Sequence, residues 1–191
     1  AGILAVLRII DKQFSEDSPI EVLPVPAQVA IPVLQHTGSP CEPLVKVKQE
    51  VALGEKIGEA TGFVSAPIHA SVAGTVMMTG VATLPNGRHV KTIPIKTGPH
   101  PLSGDALKEE IFGGEWPTTG LERRSPEEIA QAVREAGLVG LGGAAFPTHV
   151  KLTRNEKRPV DTVLVNGCEC EPYLTSDYRL MLEFPAPVVT G

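Results

Sequence analysis

Over the first hundred residues the apolar positions come in short runs that alternate with polar ones or are rich in β-branched side chains. Four such runs, 28–34, 44–47, 74–78 and 89–95, are separated by glycine, proline and asparagine turn signals and predict short β-strands. Pro32 and Pro94 fall inside two of them and mark edges or strand breaks, because proline has no N–H to give to a ladder. This punctuation predicts a small barrel or sandwich. Residues 97–124 read as a connector. The period then changes. Ser125, Pro126 and Glu128 supply an N-cap, a first-turn proline and a capping-box acid, and the run through Ala136 stops at Gly137, so a helix is predicted. Residues 161–165, apolar and partly β-branched, end in Asn166-Gly167 and predict a buried strand. A short helix is expected after Ser176, carrying Asp177 and Arg179 as cap or salt-bridge residues. The second half thus reads as an α/β unit. Residues 185–191 offer no further strand to finish a sheet and read as a domain cut short.

Composition narrows the function classes. Glycine and proline supply 37 of the 191 residues and only eight are aromatic, so the chain is turn-rich and long helices cannot dominate it. With 22 acidic against 17 basic residues the formal charge is -5, which argues against nucleic-acid backbone as a partner. No apolar run approaches the roughly 20 residues that span a bilayer. The apolar stretch 1–10 lacks the basic region and cleavage site of a signal peptide, and a start without methionine points to a processed or shortened chain. Three cysteines, two of them one residue apart, make no disulfide framework and fit a reducing, cytoplasmic compartment.

Three constellations could carry chemistry. Residues 45–58, followed by Ala66-Pro67 and Ala73-Gly-Thr-Val76, resemble the hairpin-and-strand pattern of biotinyl and lipoyl modules. Those carriers hold a lysine on a hairpin tip; residues 62–69 contain none, so a structural barrel-sandwich domain is expected rather than a carrier. Next, Gly140, Gly142 and Gly143 clear a loop of side chains, so that backbone N–H groups can converge on an anion. Pro147 suits the first turn of a following helix, and Lys151 adds a full charge one turn on. Phosphate binding and a plain tight turn both remain open for this loop, whose spacing is neither the Rossmann fingerprint nor a Walker loop. His149 has no partner at metal-ligand spacing, and surface or helix packing is its ordinary use. Last, Asn166-Gly-Cys168-Glu169-Cys170-Glu171-Pro172 follows the expected strand, where open α/β sheets bind ligands. Its thiols can be silent, reactive or metal-bound, but the spacing and number suit neither structural zinc nor an iron-sulfur cluster.

Together, Gly140-x-Gly-Gly-Ala-x-Phe-Pro-Thr-x-x-Lys151, Asn166-Gly-x-Glu-Cys-Glu-Pro172 and Asp177-x-Arg-Leu-Met181 closely resemble the C subunit of the Rnf electron-transport complex. More distantly they resemble the NADH- and FMN-binding flavoprotein subunit of respiratory complex I. Leu23-Pro-Val-Pro26, Ile31-Pro-Val-Leu-Gln-His36-Thr-Gly-x-Pro40 and Ser65-Ala-Pro-Ile-His-Ala-Ser71 match the barrel-sandwich domain that precedes the flavin domain in the Rnf protein. The similarity runs over about residues 15–185. Leu141, Ala145, Cys168 and Arg154 depart from the complex I pattern, some of them in the direction of Rnf.

The resemblance implies an α+β, multidomain chain. A barrel-sandwich hybrid (lipoyl-like β) domain at 28–98 would follow an N-terminal segment at 1–27. A connector at 99–124 would lead to the beginning, at 125–191, of an α/β Rossmann-like FMN- and NADH-binding domain, truncated here. It implies an NADH-dependent flavoprotein oxidoreductase: a peripheral subunit, on the cytoplasmic face of the membrane, of a ferredoxin:NAD+ oxidoreductase whose other subunits link electron transfer to ion transport. FMN would lie on Gly140, Gly142, Gly143, Lys151, Asn166 and Glu169; Phe146 would stack on the adenine of NAD(H), and Glu171 would bond near its nicotinamide. No protein acid or base is implied, because the cofactors carry the hydride chemistry. No metal is expected in this chain; [4Fe-4S] clusters are expected only in a missing C-terminal part. Other subunits and ferredoxin are the implied partners, and nucleic acid is not one. A microcompartment cobalamin reductase shares the arrangement, and a non-catalytic assembly or docking module is the alternative outside enzymes.

Overall fold

The computed structural model describes residues 12–84, 86–99, 101–117, 119–141, 143–153, 160–169 and 171–191. Gly142, Arg154 and Cys170, and the apolar stretch at the start, lie outside the described residues. The chain divides into two compact units. One comprises Val25–Leu102 and Glu122–Lys157; the other comprises Ala1–Pro24, Ser103–Leu121 and Arg158–Gly191.

The first unit is built on eight strands: β1 (Gln28–Pro32), β2 (Glu42–Pro43), β3 (Glu50–Val51), β4 (Lys56–Glu59), β5 (Ile68–His69), β6 (Gly74–Val76), β7 (Gly80–Thr83) and β8 (His89–Thr97). They form a five-stranded sheet in the order β1-β8-β6-β3, with β7 also on β8, and a three-stranded sheet in the order β2-β4-β5. Every pairing between these strands is antiparallel. The core lies among Ile31, Val51, Ile57, Ile68, Ile93 and Ile95. Ile57 and Ile95 are fully buried, each contributing about 1.5–3 kcal/mol of apolar transfer.

The nine-residue β8 is the spine of the larger sheet. Ile31 stands opposite Ile93 and Val29 opposite Ile95 on one side; on the other, β8 serves β6 at residues 95–97 and β7 at residues 89–92. Pro94 sits between those two partners. Its carbonyl accepts from the Met77 N–H at 2.7 Å, so its missing N–H faces the gap where β6 hands over to β7. Pro32 closes an edge strand, as its lack of an N–H leads one to expect, whereas Pro94 lies inside a central strand, tolerated because β8 changes partner there. Residues 44–47 correct a second expectation. They form no strand, since the chain turns at Val47-Lys48, where Lys48 takes a left-handed φ of 71°.

Two helices follow in this unit: α2 (Pro126–Glu135) and, past the glycine-rich loop, α3 (Thr148–Leu152). The expected capping box is formed, with the Glu128 N–H donating to Ser125 Oγ at 3.1 Å and the Ser125 N–H to Glu128 Oε2 at 2.7 Å. At the other end Leu138 N–H reaches Val133 O and Gly137 N–H reaches Arg134 O, a Schellman ending with Gly137 at φ 69°. A Cβ on Gly137 would lie 2.5 Å from the Pro67 carbonyl oxygen, so close approach and backbone sign both demand glycine. Arg134 donates to Gly62 O at 3.1 Å, and Lys56 pairs with Glu135 at 2.8 Å and Glu59 at 2.7 Å.

The stretch expected to be a connector carries α1 (Gly104–Phe112), in the second unit, and then a 3-10 turn at Leu121–Arg123. The helix expected after Ser176 is α4 (Ser176–Glu183), continued by α5 (Pro185–Thr190). Phe112 stacks on Phe184 with centroids 4.4 Å apart. Glu183 is the polar hub. It accepts from the Ile20 N–H at 2.9 Å and from Arg179 at 2.6 Å, which together hold its carboxyl below the ordinary range, and Lys108 lies 3.6 Å away. Residues 161–165 form no strand, against the expectation from their β-branched pattern; Val163, Leu164 and Val165 are each more than four-fifths exposed. A strand needs a ladder partner, and this unit holds none among its described residues.

Candidate cofactor site

The glycine-rich loop turns back on itself. Gly140 N–H donates to Phe146 O at 3.0 Å, Thr148 N–H to Leu138 O at 3.0 Å, and Val139 bridges Pro147 in antiparallel fashion. The tip is open: Leu141 is 94% exposed, and no heavy atom lies within 4 Å of where a Cβ on Gly143 would stand. Ala145, at φ 48°, is a non-glycine residue in the left-handed region. Phe146 is half-buried and Lys151 exposed. α3 is a five-residue helix, too short to add much macrodipole, so the positive potential expected beside the loop falls to the Lys151 ammonium.

His149 packs as the ordinary reading of it expects. It is buried, its Nε2 lies 2.9 Å from Phe63 O, and its ring meets Phe63 edge-on with centroids 6.0 Å apart. The loop is therefore anchored to the strand unit at its far end. Beneath its near end, His36 and Cys41 form a buried polar cluster. The Ala66 N–H donates to His36 Nε2 at 3.2 Å, and Cys41 Sγ donates to Ala66 O at 3.0 Å. Burial pushes the Cys41 thiol above its ordinary pKa, against a lowering hydrogen bond from Ser65.

Asn166, Glu169 and Glu171 belong to the other unit. Asn166 is exposed and closes an Asx turn, its Oδ1 accepting from the Cys168 N–H at 2.9 Å. Glu169 is held at the start of α4, accepting from Ser176 Oγ at 2.7 Å and the Asp177 N–H at 3.0 Å. Burial works to raise its pKa, but those two hydrogen bonds and the nearby Lys12 outweigh it and leave the carboxyl below the ordinary range. Glu171 is exposed, and Lys12 Nζ ties the segment together, donating to Glu171 O at 2.8 Å and to Leu174 O and standing 3.9 Å from Glu169. A cavity of about 250 Å³ opens here, with Lys12, Glu169, Thr175 and Tyr178 in its lining. Sequence reasoning passed over Lys12, and a single lysine in a polar stretch gives no signal of a contact made about 160 residues away.

Gly140, Gly143, Phe146 and Lys151 thus lie together on the first unit, and Asn166, Glu169 and Glu171 on the second. Gly142 lies outside the described residues. Among the described residues no three His, Cys, Asp or Glu side chains are grouped as a metal site, and no helix is long and apolar enough to cross a membrane.

Comparison with known proteins supplies the context. Residues 7–99 match the RnfC barrel sandwich hybrid domain, and residues 133–191 match the Nuo51 FMN-binding domain. The chain is 41% identical over 181 residues to the C subunit of the proton-translocating ferredoxin:NAD(+) oxidoreductase complex of Clostridium ljungdahlii. It is 39% identical over 180 residues to the C subunit of the Na(+)-translocating ferredoxin:NAD(+) oxidoreductase complex of Acetobacterium woodii, and equally to the C subunit of the ion-translocating oxidoreductase complex of Rhodobacter capsulatus. Each likeness covers 94% of this chain but only 38%, 39% and 33% of those relatives. With a barrel-sandwich module followed by a flavin-domain sequence, and likeness along nearly its whole length, the chain is similar to the RnfC proteins and spans about a third of the length of those relatives.

Proposed function

We propose that this chain is the part of an RnfC-type protein that holds FMN and receives NAD(H), in a complex that exchanges electrons between NAD(H) and ferredoxin while other subunits move ions. The observation that carries the reading is the match of residues 133–191 to an FMN-binding domain, directly behind the barrel-sandwich module. The folded loop agrees with it. An open tip without side-chain cover at Gly143, beside an exposed Lys151, suits a phosphate-bearing ligand.

In this reading Gly140, Gly142 and Gly143 let backbone approach FMN, Lys151 neutralises its phosphate, and Asn166 and Glu169 contact its polar groups. Because Glu169 Oε1 is engaged by Ser176 and Asp177, only its second carboxylate oxygen and its backbone are available for that contact. Phe146 offers a stacking face for the adenine of NAD(H), and Glu171 a hydrogen-bond acceptor near the nicotinamide. When bound, FMN accepts a hydride and releases electrons singly; the protein supplies orientation and electrostatics. Iron-sulfur clusters belong to parts of the protein outside this chain. The protein sits peripherally on the cytoplasmic face, its partners being the membrane subunits and, through the complex, ferredoxin.

Titration with FMN tests the reading. The full chain should take up FMN with a visible flavin spectrum that NADH bleaches, and Lys151→Ala should weaken FMN about tenfold, the scale of one charge-assisted contact. A chain that stays colourless and binds neither FMN nor NADH would favour the docking-module alternative.

A further inference from the structure

The motif His36-Thr37-Gly38 of the strand unit is left without a role by the flavin reading, yet it touches the glycine-rich loop. Thr37 N–H donates to Ala145 O at 3.1 Å, and Thr37 Oγ1 donates to Ala144 O, a contact between residues 107 positions apart. Two successive loop carbonyls are thus gripped by one residue. Across a trans peptide a carbonyl and the next N–H point in opposite directions, and the described residues contain no cis peptide. Holding the carbonyls of 144 and 145 toward Thr37 therefore aims the N–H groups of Ala145 and Phe146 the other way. It also holds Ala145 in its left-handed conformation, which a side chain with a Cβ adopts reluctantly.

Thr37 is itself fixed. His36 Nε2 accepts from the Ala66 N–H at 3.2 Å, which leaves the proton on Nδ1, 3.1 Å from Thr37 O. On the far side, Ser39 N–H donates to Val64 O at 3.1 Å, and a Cβ on Gly38 would lie 1.9 Å from that same oxygen. The gripping residue therefore stands in the bend between β1 and β2, tied to the rest of the strand unit through His36 on one side and Ser39 on the other.

We infer that Thr37 is a positioning residue for the glycine-rich loop: by binding the carbonyls of Ala144 and Ala145 it presents loop amides to the phosphate-bearing cofactor. This rests on the flavin reading for the identity of the ligand, but not for the restraint on the loop. The test uses the full chain, titrated with FMN and followed by flavin fluorescence, together with amide hydrogen exchange over residues 141–147 without FMN. Thr37→Val, which keeps shape and removes the hydroxyl donor, should weaken FMN about fivefold and speed exchange in the loop. Thr37→Ser should restore both to within about twofold, which a purely packing role would not do. Thr37→Ala repeats the measurement should the valine variant fold poorly. If Lys151→Ala weakens FMN while Thr37→Val binds it like the parent, the flavin reading stands and the role of Thr37 falls. Unchanged exchange in Thr37→Val also overturns it. If the parent chain binds no FMN, the flavin reading falls, and faster exchange in Thr37→Val still upholds the restraint on the loop.

Discussion

Cys41 and Cys168 are the same side chain in opposite surroundings. Cys41 is buried, hydrogen-bonded to Ala66 O and pushed by desolvation toward the neutral thiol, while Cys168 is exposed. Because the thiolate is the reacting form, a disulfide reagent at mildly alkaline pH should modify Cys168 quickly and Cys41 only after denaturation. Because Cys170 is a third thiol, the chain with both Cys168 and Cys170 replaced by serine checks this; fast modification of Cys41 in that folded chain would contradict it. At this scale the sequence is a poor guide. Glu169 reads in sequence as a bare carboxylate of a polar cluster, yet Ser176 and Asp177 engage one of its oxygens, and nothing in residues 166–172 alone foretells that. His149 reads correctly as a packing residue because it lacks a metal-spaced partner, although its contact, Phe63, lies 86 positions away.

Among the elements, those with local determinants are legible and those with distant ones are not. α2 is written out in Ser125, Pro126, Glu128 and Gly137, each of which acts within a turn of its own position. β8 and β1 are visible from β-branched runs. β2, β3 and β5, two residues each, are too short to leave a pattern and exist only because neighbours pair with them. Residues 161–165 show the converse, a strand-like sequence for which no described residue supplies a partner. Gly137 carries an element-scale prediction. Gly137→Ala should cost about 2–4 kcal/mol, since it adds left-handed strain to a collision with the Pro67 carbonyl. Gly54→Ala, also at positive φ but with nothing within 4 Å of its Cβ, should cost only about 1 kcal/mol. Urea unfolding followed by circular dichroism compares the two, and equal losses would remove the collision from the account.

For the molecule as a whole, the order of modules is legible because each carries its own motif, whereas the division into units is not: segments 1–24, 103–121 and 158–191 gather into one unit through long-range contacts. That unit shows water an apolar stretch at Val160, Val163, Leu164 and Val165, each at least 80% exposed. An exposed aliphatic run such as Val163–Val165 promotes association. The chain should therefore bind a hydrophobic dye and sediment faster at higher concentration, and Leu164→Lys should reduce both; concentration-independent sedimentation of the parent would count against it. The spine strand has a consequence for synthesis. β1, at residues 28–32, finds its ladder only on β8, at residues 92–96, and β6 and β7 close onto the same strand. Loop-closure entropy must be met before any of these long-range pairings returns energy. A nascent chain therefore cannot close the sheet until β8 has left the ribosome, and the loop that Thr37 grips at Ala144 and Ala145 emerges later still, onto a platform already built to receive it.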